Sequence, residues 1–261
     1  MNLFGHADVA IDLGRGASHV FARGRGIVFS GRTEGLLPAT GGDADSATLT
    51  RKISECLAKA GLRRGMFRPE IRAVLIARHG IADVEKRALE AAARAAGAGK
   101  CFLVEEPVAA AIGAGLPVSE ARGAMVVVIC RDVVQVAVIS LCGIVAERDV
   151  WASVATSASR GAAKKCEQPS EVPREAIAGA MNGVLADCAA KGRRNIVSDI
   201  MKCGAVIAGE GGDDEGLARW LSEKTGLPVK VASSPATAAV EGAGAALKEL
   251  DVFARAASRL R

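Results

Sequence analysis

Three short segments hold side chains whose types and spacing could do chemistry. Asp12 closes an apolar run and is followed by Leu13, Gly14, Arg15 and Gly16. Glu105 and Glu106 stand directly before Pro107, and Gly209, Glu210, Gly211 and Gly212 follow the apolar run 205–208. Each places a carboxylate at a turn or a helix start. Separately, each has a plainer reading. An Asp at a strand end is a turn former, carboxylates suit the positive end of a helix, and a Gly-rich stretch after a strand is a strand-to-helix turn.

The other reactive residue types carry no such pattern. His6, His19 and His79 are scattered, and Arg131 reads as a solvated turn residue. The seven cysteines are odd in number and include no CxxC pair. Several lie in apolar runs, where a free thiol behaves as a small hydrophobe. A reducing compartment is expected, with neither a disulfide framework nor a zinc site.

Composition narrows the function classes. Of the 261 residues 50% are apolar and 24% charged, a globular profile with enough chain to bury a core. Aromatics make up only 3% and Tyr is absent, so the core must be Val, Ile, Leu and Ala. The same scarcity removes the stacking platform of single-strand nucleic-acid binders. The net charge of +5 is mild, and Arg255, Arg259 and Arg261 fit a solvated helix face. No nucleic-acid partner is expected. The N-terminus lacks a signal peptide's basic and apolar regions, and no apolar run reaches membrane-spanning length, so a cytoplasmic protein is expected.

The elements that must position the three segments follow from periodicity. Apolar runs at 9–13, 19–22 and 26–30, separated by Gly-rich turns, predict an antiparallel meander. After a turn-rich connection at 31–46, Leu49, Ile53, Cys56 and Leu57 mark one face of a helix. A buried strand at 73–77, an Ala-rich helix at 83–97, a strand at 102–104 and a small-residue helix opened by Pro107 complete the unit. The pattern then restarts: strands at 124–130, 133–141 and 145–150, a polar connection near 151–172, helices at 174–191 and 196–202, then strand, helix and strand at 205–208, 217–225 and 229–231. Residues 236–261 predict a final helix. Two copies of one unit imply a duplicated α/β architecture with a cleft between the halves, where ligands usually bind.

The stretch 104–140, VEEPVAAAIGAGLPVSEARGAMVVVICRDVVQVAVIS, resembles the middle of MreB, the rod-shape-determining family of bacterial actin homologues in the actin/Hsp70 superfamily. Three further stretches resemble the family in order: IDLGRGAS at 11–18, its first phosphate hairpin; DVEKRALEAA at 83–92, the helix before the connecting segment; and GAVIAGEGG at 204–212, its adenosine motif. The resemblance implies two RNase H-like, actin-like ATPase domains flanking a nucleotide cleft. The expected division is 1–121 and 122–242, with a C-terminal helix over 243–261 packing back on the first domain. It also implies ATP as ligand, held through Asp12, Gly14, Gly16, Gly209, Gly211 and Gly212. Asp12 would manage Mg2+ through water, and Glu106 would position the attacking water.

The departures from the family point another way. Relatives insert a subdomain after each meander, whereas here only the connections near 31–46 and 151–172 stand there, so both outer lobes are expected to be missing. Self-assembly by the family's route is then in doubt. The family's second phosphate hairpin reads Asp-Ile-Gly-Gly-Gly-Thr-Thr, and here the residues are Val128, Ile129, Cys130, Arg131, Asp132, Val133 and Val134. A backbone that wraps a phosphate relies on glycine for its conformation and lack of bulk. Losing three charge-assisted hydrogen bonds at ~1.5–3 kcal/mol each removes ~4–9 kcal/mol, a factor of roughly a thousand or more. Glu210 replaces a family glycine and is expected to crowd the nucleoside. Leu3 and Phe4 resemble the N-terminal membrane anchors of some relatives, but two apolar residues imply only marginal membrane contact.

The leading expectation is a reduced MreB-like cell-shape protein acting mainly through protein partners, with ATP and magnesium bound weakly or not at all and no efficient ATPase activity. The rivals are a working actin-like ATPase and a non-polymerising scaffold or chaperone-like module.

Overall fold

Strand alternation builds two sheets of one design in the computed structural model, which describes residues 7–14, 16–32, 46–62, 70–78, 80–131, 133–151 and 172–247. The first meander is β1 (Ala7–Leu13), β2 (Ala17–Ala22) and β3 (Gly26–Arg32). β4 (Ile71–Ala77) and β5 (Ala98–Glu105) join β1 in parallel, giving the order β3-β2-β1-β4-β5. The second meander is β6 (Ala124–Ile129), β7 (Val133–Ser140) and β8 (Gly143–Trp151). β9 (Ala205–Ala208) and β10 (Val229–Val231) extend it in parallel from β6, giving β10-β9-β6-β7-β8. Read in reverse, the second order is the first with every strand number advanced by five. The duplicated α/β architecture expected from the sequence is the one observed.

The first sheet carries α1 (Ser46–Lys59) and α2 (Asp83–Ala95) on one face, and the second carries α4 (Arg174–Ala190), α5 (Arg194–Cys203) and α6 (Glu215–Thr225). Leu49, Ile53, Cys56 and Leu57 of α1 are all buried, as their spacing requires. β5 starts at Ala98, ahead of the apolar run from Phe102. As the edge of its sheet, it can expose Gly99 and Lys100 and still pair its backbone with β4. Alternation read from the sequence underestimates such a strand.

Between the two sheets lie α3 (Glu106–Gly113) and α7 (238–247). On β1, Val9, Ile11 and Leu13 face α1 and α2, while Ala10 packs with Val74, Ile76, Ala109, Val240, Ala243 and Leu247. Val108, Ala110 and Ala111 of α3 turn the other way, onto Val126, Val128, Ala137 and Ile139 of the second sheet. The two helices touch backbone to backbone. A Cβ at Gly113 would strike the Ala238 carbonyl oxygen, and one at Gly242 would strike the Ala109 carbonyl oxygen. Leu3, Phe4, Arg15, His79, Asp132, Cys166, most of the two connections and the final helix beyond 247 lie outside the described residues.

The Gly242 contact gives a test whose sign is not obvious from helix propensity. Alanine would gain about 1 kcal/mol over glycine within a helix. Overpacking against a fixed carbonyl costs ~1–3 kcal/mol, and backbone cannot swing aside as a flexible side chain can. Gly242→Ala is therefore expected to lower the thermal midpoint by a few degrees. An unchanged or raised midpoint in a melting experiment would show that the crossing is looser than described.

Candidate functional site

β1, β4, β6 and β9 all point their carboxyl ends at one cavity of about 210 Å³. Asp12 enters it from the end of β1, and Gly14 and Gly16 from the turn that follows. Glu106 enters from the first residue of α3, Val128 and Cys130 from the end of β6, and Gly209 and Glu210 from the turn after β9. Of the residues singled out in the sequence, Asp12, Gly14, Gly16, Glu106 and Gly209 thus share one cavity. Gly211 and Gly212 do not line it.

The turn after β9 shows why. The Gly209 amide donates to the Pro235 carbonyl at 2.8 Å, the Gly211 amide to the Ile129 carbonyl at 3.1 Å, and the Gly212 amide to the Gly209 carbonyl at 3.0 Å. These three N–H groups are therefore bonded within the protein. Gly209 has φ +96°, and a Cβ there would meet the Ile129 backbone, so both conformation and space call for glycine.

Glu210, expected to crowd a nucleoside, reaches further than that. Its Oε1 accepts the Ala17 N–H at 2.6 Å, across 193 positions of sequence. A Cβ at Gly16 would collide with the same carboxylate, and one at Gly14 would lie 3.2 Å from it. An anion entering the first hairpin would meet a carboxylate already on its amide.

On the opposite wall, the β6–β7 turn is closed by the Cys130 N–H donating to the Val133 carbonyl at 2.9 Å. The Cys130 thiol donates to Glu106 Oε1 at 3.2 Å. Val128, expected from the family resemblance to replace an aspartate, is 1% exposed and packs in the apolar cluster of the second sheet. Beside it in the ladder sits Gln135, 1% exposed, with no hydrogen-bond partner for its side-chain oxygen or nitrogen.

Among the described lining residues, carboxylates outnumber cations. Asp12, Glu85, Glu106 and Glu210 line the cavity against Arg78 and Arg131. Burial, then the charges of Glu106 and Glu210, push the Asp12 carboxyl well above its ordinary value, and a hydrogen bond from the Gly14 amide offsets only part of this. Burial and the same carboxylates push the Cys130 thiol up, so it is held as a neutral donor. Burial raises Glu210 too, opposed by the Ala17 amide and by Arg131.

Asp8, four residues before Asp12 on the same strand, shows the contrast. Burial alone would raise it, but Arg72 grips it through Nε and Nη2 at 2.6 Å each and Arg23 through Nη1 at 2.9 Å. Its carboxyl is held below the ordinary value. Among the described residues no three His, Cys, Asp or Glu side chains converge to hold a metal ion. In the first hairpin the Ala17 amide is already taken by Glu210.

Other lining residues were not marked as site residues in the sequence. Leu49, Ile76, Ile81, Val84 and Leu89 form an apolar wall. Arg78, at the end of β4, stacks its guanidinium 5.4 Å from the centre of the Trp151 ring at the end of β8. That contact joins the two sheets across the cleft and is worth ~0.5–1 kcal/mol when exposed.

Comparison with known proteins puts this geometry in context. Residues 38–159 and 154–255 match the model of the family described as MreB/Mbl protein. The chain is 29% identical to the cell shape-determining protein MreB of Escherichia coli K12, over an alignment of 331 positions covering 94% of each. That alignment is longer than the chain itself, so the relative carries stretches this chain lacks. Among solved structures, the ADP-bound MreB5 of Spiroplasma citri superposes with a TM-score of 0.72 at 17% identity, covering 94% of this chain and 98% of the other. A MamK double helical filament gives 0.66 at 15% identity, covering 95% and 99%. At these identities the structures share the fold.

The raised Asp12 carboxyl predicts a measurable pH dependence. The folded chain binds this proton more tightly than the unfolded chain does. The linked stability is therefore present at low pH and is lost as pH rises from the ordinary value of 3.8 through the folded one. Asp12→Asn should raise the melting midpoint at neutral pH, by roughly 2–4 °C for each ~1 kcal/mol relieved, and flatten its decline above pH 4. Asp8→Asn should lower the midpoint, because an ionised, well-paired carboxylate is lost. Melts across pH would contradict the account if the two substitutions acted in the same direction.

Proposed function

Because the chain belongs to the MreB/Mbl family, we propose that it is a cell-shape protein that works mainly through contacts with other proteins and holds ATP and magnesium weakly or not at all. Supporting this most strongly is the state of the phosphate grip: Glu210 sits on the first hairpin and Val128 stands at the carboxylate position of the second. The shape role comes from the relatives, which are named as cell shape-determining proteins. No helix among the described residues is long and apolar enough to cross a membrane, and the proposed location is the cytoplasm. Any membrane contact would fall to Leu3 and Phe4 and be marginal.

The same reading extends to assembly. Only residues 33–45 separate β3 from α1, and only 152–173 separate β8 from α4. Those are the places where family members carry additional subdomains that cover the cleft and supply subunit contacts. The chain alone is proposed to be short of filament-forming surface and to act with a protein partner. A second reading, a working ATPase, has one observation in its favour: Asp12 and Glu106 still line the same cavity.

Two measurements test the proposal. Trp151 stacks on Arg78 at the cleft, so tryptophan fluorescence should follow nucleotide entry. The expected dissociation constant for ATP with magnesium is high micromolar or weaker, without measurable phosphate release. A low-micromolar constant with turnover would instead favour the ATPase. Negative-stain images at high protein concentration should show no filaments, and ordered ATP-dependent filaments would remove the assembly part of the reading.

A further inference from the structure

We propose that Glu210 is an internal ligand of the first half of the chain, its carboxylate taking an anion position at the Ala17 amide, against Gly14 and Gly16, and tying the two halves of the molecule together across the cleft. This deepens the reading of a weak nucleotide site by naming the group on this chain that competes for it, and the two can be separated by experiment.

The geometry is that of a bound anion. A carboxylate oxygen accepts the Ala17 N–H at 2.6 Å, in the range of charge-assisted hydrogen bonds. The carboxylate lies against the bare faces of Gly14 and Gly16, so closely that a Cβ at Gly16 would overlap it. Glycines without side chains, around a backbone amide, are what an anion-binding turn consists of. Here the anion comes from the chain's own second half.

The loop that presents Glu210 is held from behind. The amides on either side of it, Gly209 and Gly211, donate to the Pro235 and Ile129 carbonyls. With its flanking backbone anchored, the side chain pays little entropy to reach over the cleft. Burial raises the Glu210 carboxyl, and the Ala17 amide and Arg131 oppose that rise. A surface glutamate resting by chance on a neighbouring turn would lack this anchored backbone. Such a latch predicts that the halves stay joined without an added anion, and that an anion enters only by displacing the side chain.

Amide hydrogen exchange at Ala17, resolved by NMR on the full chain, tests this. In Glu210→Ala the Ala17 amide should exchange roughly tenfold to hundredfold faster than in the natural chain, the worth of one charge-assisted hydrogen bond. Amides in β1 should be unchanged. Adding inorganic pyrophosphate should restore protection in Glu210→Ala and have little effect on the natural chain, whose hairpin is already filled. Glu210→Gln, which keeps size and an acceptor but loses the charge, should give a smaller acceleration and decides the matter if the alanine variant fails to fold. Equal Ala17 exchange in natural and variant chains would overturn the proposal. So would pyrophosphate protection that is equal in both, or absent from Glu210→Ala. The outcome does not depend on ATP affinity: tight ATP binding by the natural chain would defeat the functional reading, whereas only Ala17 exchange and its response to pyrophosphate decide the role of Glu210.

Discussion

The close crossing of α3 and α7 is the constraint on which the rest of the molecule depends. Two helices can serve as the shared filling between two sheets only if they are thin, and these are lined with Ala109, Ala110, Ala111, Gly113, Gly242 and Ala243. Where Gly113 meets Ala238 and Gly242 meets Ala109, backbone packs on backbone. The inner faces of both sheets then reach the same helix pair, and their parallel strands end side by side. Asp12, Glu106, Cys130 and Gly209 come together for that reason. Ligand clefts of α/β proteins form at the carboxyl ends of strands by the same logic.

What the crossing assembles is a cleft where, among the described lining residues, carboxylates outnumber cations. Along β1, Asp8 is neutralised by two guanidinium groups, while Asp12 meets two more carboxylates. Proteins concentrate such locally unfavourable arrangements at working sites. In this chain Glu210 lies on the Ala17 amide, and Leu49, Ile76, Ile81, Val84 and Leu89 line the cavity with apolar surface. The surroundings favour neutral Asp12 and a neutral Cys130 thiol, as expected for groups buried among like charges.

Much of the fold was legible in the sequence because each buried face repeats with the period of its element. The four apolar positions of α1 and the unbroken apolar run of β6 are examples. β5 was legible only in its apolar half, since an edge strand needs no second partner and tolerates Gly99 and Lys100. The cavity residues Asp12, Gly14, Gly16, Glu106 and Gly209 were marked by family resemblance, which works where short motifs sit at strand ends. Gly211 and Gly212 were marked too, yet they turn their backbones to Ile129 and Gly209 and away from the cavity. Neither the Glu210–Ala17 contact nor the Arg78–Trp151 stack has a local signature. Each joins residues from different halves, and only the relative placement of the two sheets creates them.

We propose that the cleft has lost its hold on the phosphates while keeping its architecture. The affinity of the natural chain for ATP divided by its affinity for adenosine, both with magnesium and measured by calorimetry, tests this most directly, because the nucleoside contacts cancel. An intact grip worth ~4–9 kcal/mol would make ATP bind at least about a thousandfold tighter. The account predicts a ratio near one, and a ratio in the thousands would contradict it.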